Sequence, residues 1–279
     1  MLKRQLSLPA RPLYTHAGMS LGYIIAGVVV GTLVGLTGVG GGSLMTPLLV
    51  FLFNFNPAVA VGTDLLFAAI TKTVGVGVHH RSHGSVNWKI AGRLSLGSIP
   101  ASLVTLYVLS RYAHVGADIS RAITASLGVA LLLTSCALFI KPKVRTLGGS
   151  LPRSVIRFIG EKRRLATIMV GAFLGVLVTV SSVGAGALGT VALVLLYPGL
   201  AAVSVVGTDL AYAIPLTAVA GLGHWALGNV DWALLATLLL GSVPGIWIGS
   251  HISARIPEKV LRPMLATVLG AVALKCLVR

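Results

Sequence analysis

The charged residues of this chain sit at the ends of long apolar runs, and no other feature constrains its fold as strongly. From Leu165 to Val230 the only Asp, Glu, Lys or Arg is Asp209. A hydrocarbon layer about 30 Å thick is crossed by about 20 apolar residues in helical conformation. With 56% hydrophobic and 10% charged residues in 279, the chain departs far from the roughly 25% charge of soluble domains. These observations predict an all-α membrane protein of about 8–10 transmembrane helices. Its 22 Lys and Arg fall in loops or near helix ends, Lys72 excepted. The net charge of +16 follows the positive-inside rule rather than a nucleic-acid footprint, because the basic residues are densest between Lys141 and Arg164. Lys3, Arg4 and Arg11 precede an apolar run as in a signal peptide. No small-x-small site separates Leu21–Leu36 from the next run, so this run is read as a retained first helix.

Shifted by 144 or 145 positions, the sequence matches itself at unusual residues. Val39-Gly40-x-Gly42-x-Leu44 returns as Val183-Gly184-x-Gly186-x-Leu188, and Val61-Gly62-Thr63-Asp64-Leu65 returns unchanged as Val206-Gly207-Thr208-Asp209-Leu210. His80, Gly84, Val86 and Trp88 align with His224, Gly228, Val230 and Trp232; Gly97, Ser98 and Pro100 align with Gly241, Ser242 and Pro244. Two homologous halves follow. A basic tail occupies 1–17, the first repeat 18–140, a linker with eight Lys and Arg 141–164, and the second repeat 165–279. Expected helices lie near 18–38, 43–54, 58–78, 88–109 and 119–140, and again near 165–183, 187–197, 202–223, 232–250 and 259–278. The short second helix of each half decides whether the repeats are parallel or inverted. Inversion is favoured, since the Lys and Arg of the 81–93 hairpin vanish from its partner 224–231.

Gly27, Gly31 and Gly35 recur every four residues, which reads as close helix packing. Gly40, Gly41 and Gly42 are consecutive and precede Ser43 and Pro47, which reads as a helix break. Such a break bares backbone N–H groups with partial positive charge that attract an anion. Matching breaks in two halves point to a transporter site, so 38–43 and 182–187 are expected to face a shared pathway. The stretch is no Walker A loop, for no Lys follows its last Gly, and G-x-G-x-x-G is incomplete. Hydroxyls of Thr63, Thr208, Ser181 and Ser182 are candidate donors to oxyanion oxygens.

Asp64 and Asp209 are two of only six acidic residues and lie inside apolar spans, where an ionised carboxylate costs roughly 2.5–3.5 kcal/mol. Proton or cation coupling and hydrogen bonding to a helix start both account for them. Lys72, opposite Thr217 in the repeat, is either a counter-charge for Asp64, an anion contact, or a residue snorkelling to the interface. His80 and His224 are placed near the water boundary, where they would relay protons or contact anions. His79, His80 and His83 lack nearby carboxylates or Cys, so no metal site is expected, nor any cofactor. Trp88 and Trp232 read as interfacial anchors, and Pro100 and Pro244 as kinks. Cys136 and Cys276 are expected to be buried packing residues.

The run from "GVGGGSLMTPLL" through "VGTDLLFA", "GSVNWK" and "GSIPAS", followed by a degenerate second copy, resembles the sulfite exporter TauE/SafE family of bacterial permeases over residues 18–278. The resemblance implies a multi-pass carrier of the cytoplasmic membrane for sulfite, an organosulfonate or another small anion. It places Gly40, Gly41, Gly42, Pro47, Gly62 and Thr63 in the first site segment. In the second copy, with Gly184 and Gly186, Ala185 stands for Gly41 and no proline matches Pro47. No ATP-binding motif is present, so an ion gradient or the gradient of the anion itself would drive transport. A passive anion channel and, less favoured, a membrane-embedded enzyme are the rivals. The partners expected are the anion and the bilayer.

Overall fold

The computed structural model describes residues 16–37, 42–83, 86–112, 117–147, 153–252 and 258–278. Among them the chain forms ten helices: α1 (His16–Thr37), α2 (Gly42–Phe51), α3 (Pro57–His83), α4 (Trp88–Tyr112), α5 (Ala117–Leu147), α6 (Arg153–Ser181), α7 (Ala187–Leu196), α8 (Ala202–Ala226), α9 (Trp232–Ile252) and α10 (Glu258–Val278). Five contain stretches long and apolar enough to cross a membrane: Trp88–Arg111, Arg121–Ile140, Lys162–Ser181, Ala202–Ala226 and Trp232–Gly249. Shorter apolar helices run over Leu21–Leu36, Ala187–Leu196 and Pro263–Val278. Leu96, Val104, Leu240 and Met264 are each more than 60% exposed, a distribution that a lipid solvent accepts at no cost.

The basic stretch expected to be a linker from 141 is largely helical, because α5 continues to Leu147 and α6 starts at Arg153. Charged side chains do not stop a helix once it has left the hydrocarbon; they only stop it from being buried there. Pro100 and Pro244 lie within α4 and α9, both assigned as continuous helices. Trp88 and Trp232 open those helices with exposed rings, as boundary anchors do.

Each of the first and fourth helices of one half packs along the other half. α1 lies along α9 and α4 along α6, while α3 meets α8 and α5 meets α10. Glycine makes the first two contacts possible. A Cβ at Gly31 would strike the backbone of Ser242, and one at Gly245 would strike that of Val28. At Gly97 it would strike Ile168, and at Gly175 it would strike Ser98. Bare glycine faces let the backbones touch, which replaces the hydrophobic drive that lipid removes. The Thr179 hydroxyl donates to Ser102 Oγ at 2.7 Å, tying α6 to α4.

Contact registers give the helix directions. Gly241 meets Ile24 and Gly249 meets Thr32, so α1 and α9 run parallel; Gly171 meets Leu94 and Gly175 meets Ser98, so α4 and α6 do as well. Gly62 meets His224 while Gly221 meets Leu66, so α3 and α8 are antiparallel. Gly128 meets Cys276 and Ser135 donates to the Ala266 carbonyl at 2.7 Å, so α5 and α10 are also antiparallel. Cys276 is buried as expected, but Cys136 lies on an exposed face. A helix with apolar residues on every side hides which face is inner, and a thiol is tolerated on either.

Candidate functional site

Among the described residues the buried charged side chains are Asp64 at 0%, Asp209 at 2% and Lys72 at 3% exposure. Asp64 sits two turns into α3. The Thr46 hydroxyl of α2 donates to its Oδ2, a charge-assisted bond that offsets part of the cost of burial. Ser182, just past the end of α6, brings its hydroxyl up to the same carboxylate. Ser182 Oγ and Asp64 Oδ1 nevertheless complete no hydrogen bond among the described residues.

Asp209 occupies the matching place on α8, and its surroundings differ. Gly189 of α7 presents bare backbone to it: a Cβ there would collide with Oδ1 and come within 2.8 Å of the Tyr212 hydroxyl oxygen. Tyr212 is fully buried, and its hydroxyl has no hydrogen-bond partner among the described residues. Lys72 lies eight residues beyond Asp64, about 12 Å of helix rise. In the antiparallel register of α3 and α8 this carries it toward Asp209. Its ammonium is within electrostatic reach of both Asp209 and Asp64. The expected counter-charge role for Lys72 therefore extends to both carboxylates, and burial argues against snorkelling.

Between α6 and α7 the chain turns through Ser182 (φ 58), Gly184 (φ 115) and Gly186 (φ 126). Positive φ at two glycines is inexpensive and lets the chain leave one helix and start the next within five residues. The Val183 amide donates to Ser181 Oγ at 3.2 Å, and Ser181 in turn donates to the Leu177 carbonyl at 2.6 Å. Ser181 is thus spent on the turn. The start of α7 is also less bare than a simple break implies, for the amides of Leu188 and Gly189 donate to the Gly184 carbonyl. Those of Gly184 to Ala187 make no hydrogen bond among the described residues. In the first half, Gly40 and Gly41 lie outside the described residues. Gly42 and Ser43 form the first turn of α2.

Thr63 and Thr208 have structural partners. The Asp231 amide donates to Thr63 Oγ1 at 3.0 Å, and the Asn87 amide donates to Thr208 Oγ1, also at 3.0 Å. Asp231 and Asn87 are themselves the caps of α9 and α4, accepting from Leu234 at 3.0 Å and Ile90 at 3.3 Å. Each threonine thereby fastens a hairpin of the other half, with its own proton still available. Gly62 is required for this closeness, since a Cβ would strike the Asn229 carbonyl. His224 is not at a water boundary: it is 1% exposed, with Nε2 2.9 Å from the Thr179 carbonyl. Its side chain packs between Thr179 of α6 and Gly62 of α3. The side chain of His80 lies outside the described residues.

Thr46, Gly189 and Tyr212 were missed by the sequence reading. Thr46 did leave a signal, because Thr190 repeats it at the same offset within the short helix of the second half.

The model of the sulfite exporter TauE/SafE family matches residues 23–276. The chain belongs to that family. A probable membrane transporter protein of Bacillus subtilis, YjnA, is 38% identical over 261 residues, covering 92% of this chain and 99% of that protein. A probable membrane transporter protein of Methanocaldococcus jannaschii is 27% identical over 269 residues, covering 90% and 92%. No solved structure matches the chain. As a TauE/SafE member the protein is a multi-pass membrane transporter, with its buried carboxylates and helix break inside the matched region.

Proposed function

We propose that this TauE/SafE member is a secondary permease of the cytoplasmic membrane, built from two inverted repeats. Its substrate would be a small anion such as sulfite, an organosulfonate or a related sulfur-containing or organic anion. The observation that carries the reading is the buried turn 182–186, where an interrupted helix meets a buried carboxylate of the other half. The amides of Gly184 to Ala187 stand at the N-terminus of α7, where the helix dipole and unpaired donors favour negative charge. Lys72 adds a buried cation one helix away. The family's description supports sulfite among these; Gly40, Gly41 and Gly42 are the expected counterpart of this turn. The antiparallel pairing of α3 with α8 and of α5 with α10, with α1 parallel to α9, is what an inverted duplication produces, and it supports that arrangement.

In this mechanism the anion binds between the two turns, and the halves rock about the α1/α9 and α4/α6 contacts. Coupling to a proton or another cation would pass through Asp64, Asp209 and Lys72. The test is flux of radiolabelled sulfite and of a small sulfonate into proteoliposomes with and without an imposed ion gradient. Saturable, gradient-driven accumulation is expected. Flux that never saturates and never exceeds equilibrium would make the protein a passive channel instead.

A further inference from the structure

We propose that the cavity enclosed by the end of α2, the start of α5 and the end of α10 binds an anionic phospholipid, with Arg121 and Lys275 on its phosphate and the apolar wall along an acyl chain. The proposal goes beyond the permease reading, because its ligand comes from the bilayer and is not the transported anion.

The cavity has a volume of about 480 Å³, within the roughly 300–1,000 Å³ of small-molecule sites. A sulfite-sized ion would leave most of it empty. Its inner wall is apolar, for Phe55 and Cys276 are buried and Phe51 and Leu277 line it beside them. Arg121 and Asn54, both exposed, form a polar rim. Lys275 holds its ammonium 5.3 Å from the centroid of the Phe51 ring, so a second cation borders the same wall. The adjoining Leu52, Leu274 and Val278 are exposed apolar side chains, which sets the opening against the bilayer. No carboxylate lines the cavity among the described residues. Two cations beside an apolar recess suit a ligand with an anionic head and an apolar tail.

Depth in the membrane agrees. The apolar span of α5 begins at Arg121 and ends at Ile140, so the guanidinium lies at a membrane boundary, the level of lipid headgroups. α10 runs antiparallel to α5, which returns Lys275 to that level. A planar guanidinium meets a phosphate with two parallel N–H donors, and basic recesses between membrane helices take anionic headgroups. The duplication explains why space is left here. α5 packs along α7, whereas the matching pair, α10 and α2, makes far less contact. The cavity lies in that thin contact, and an acyl chain fills it. Because α2 and α5 belong to one half and α10 to the other, the bound lipid bridges both.

The experiment follows thermal unfolding of the purified, delipidated full chain in an uncharged maltoside detergent, with lipid added at rising mole fraction. Phosphatidylglycerol should raise the unfolding temperature saturably. Phosphatidylcholine with the same acyl chains should need a fraction about tenfold higher, and glycerol phosphate without chains should do nothing. Arg121→Gln should raise the half-saturating fraction of phosphatidylglycerol about tenfold, the loss of a charge-assisted hydrogen bond, and Lys275→Gln should raise it less. Ala125→Phe, which fills the cavity from a lining position, should abolish the response. Arg111→Gln removes a cation from the last turn of α4, away from the cavity wall, and should titrate like the wild type. Equal stabilisation by both lipids, a response to glycerol phosphate alone, or a shift at Arg111→Gln as large as that at Arg121→Gln overturns the proposal. So does a folded Arg121→Gln or Ala125→Phe that titrates like the wild type. Sulfite flux is a separate measurement, so the permease reading stands or falls apart from this result.

Discussion

Asp64 and Asp209 come from the same five-residue phrase, on helices that cross antiparallel, yet the two carboxylates live differently. Asp64 accepts a hydrogen bond from Thr46 and has the Ser182 hydroxyl close beside it. Asp209 is closed in by Gly189, Tyr212 and Lys72. The difference comes from three neighbours rather than from the repeated residues. Met45 stands where the second half has Gly189, Phe67 where it has Tyr212, and Lys72 where it has Thr217. The repeated residues therefore preserve the place of a charge while its surroundings differ.

Substitutions can break or sharpen this contrast. The largest effect is expected at Gly189→Ala, whose methyl group has no space beside Asp209. Overpacking of about 3 kcal/mol should lower the unfolding temperature and folded yield in detergent; an unchanged protein would show that the Asp209 site is not closed. Next is Thr46→Val, which removes a hydrogen bond to a charged, buried group. A loss of about 1.5–3 kcal/mol is expected, measured by the same unfolding assay, with slower anion flux. Thr63→Val and Thr208→Val should then cost about 1 kcal/mol each, by nearly equal amounts, because the two bonds to Asp231 and Asn87 are equivalent in length. Unequal losses would mean that the hairpins of the two halves are held by different means. The smallest effect belongs to Tyr212→Phe, which copies Phe67 and deletes a hydroxyl without a hydrogen bond. A change within about 0.5 kcal/mol is expected, and a large one would reveal that the hydroxyl serves Asp209.

Much of this was legible in the sequence. Apolar runs bounded by charge located the helices, and the helix starts of α4, α7, α8 and α9 fall where Trp88, Ala187, Ala202 and Trp232 predict. The odd charges Asp64, Asp209 and Lys72 stood out because hydrocarbon makes each of them expensive. Which helix touches which was not legible. In a soluble bundle one polar face reveals the outside, but here the outside is apolar too, so Cys136 gave no sign of its exposure and α1 none of its pairing with α9. Thr63 and Thr208 stand out in the sequence as candidate donors to a substrate, and the structure adds that each accepts a hydrogen bond from a hairpin more than a hundred residues away. A hydroxyl inside a span asks for a partner, and the chain alone does not say whether that partner is a ligand or a loop. His224 is close to a helix end, where a water-facing ring is the simple expectation, but its side chain packs between α6 and α3 at Thr179 and Gly62.

The pairing of α1 with α9 also has a consequence during synthesis. α1 is finished by Thr37, but the surface that covers Gly27 and Gly31 begins only at Trp232. At a translation speed of about 5–20 residues per second, the intervening length takes roughly 10–40 s to make. Throughout that interval the nascent first helix holds an unclaimed glycine groove in the bilayer, open to any other helix that drifts past. Safe assembly then depends on insertion machinery or lipid keeping strangers out until the rightful neighbour is made.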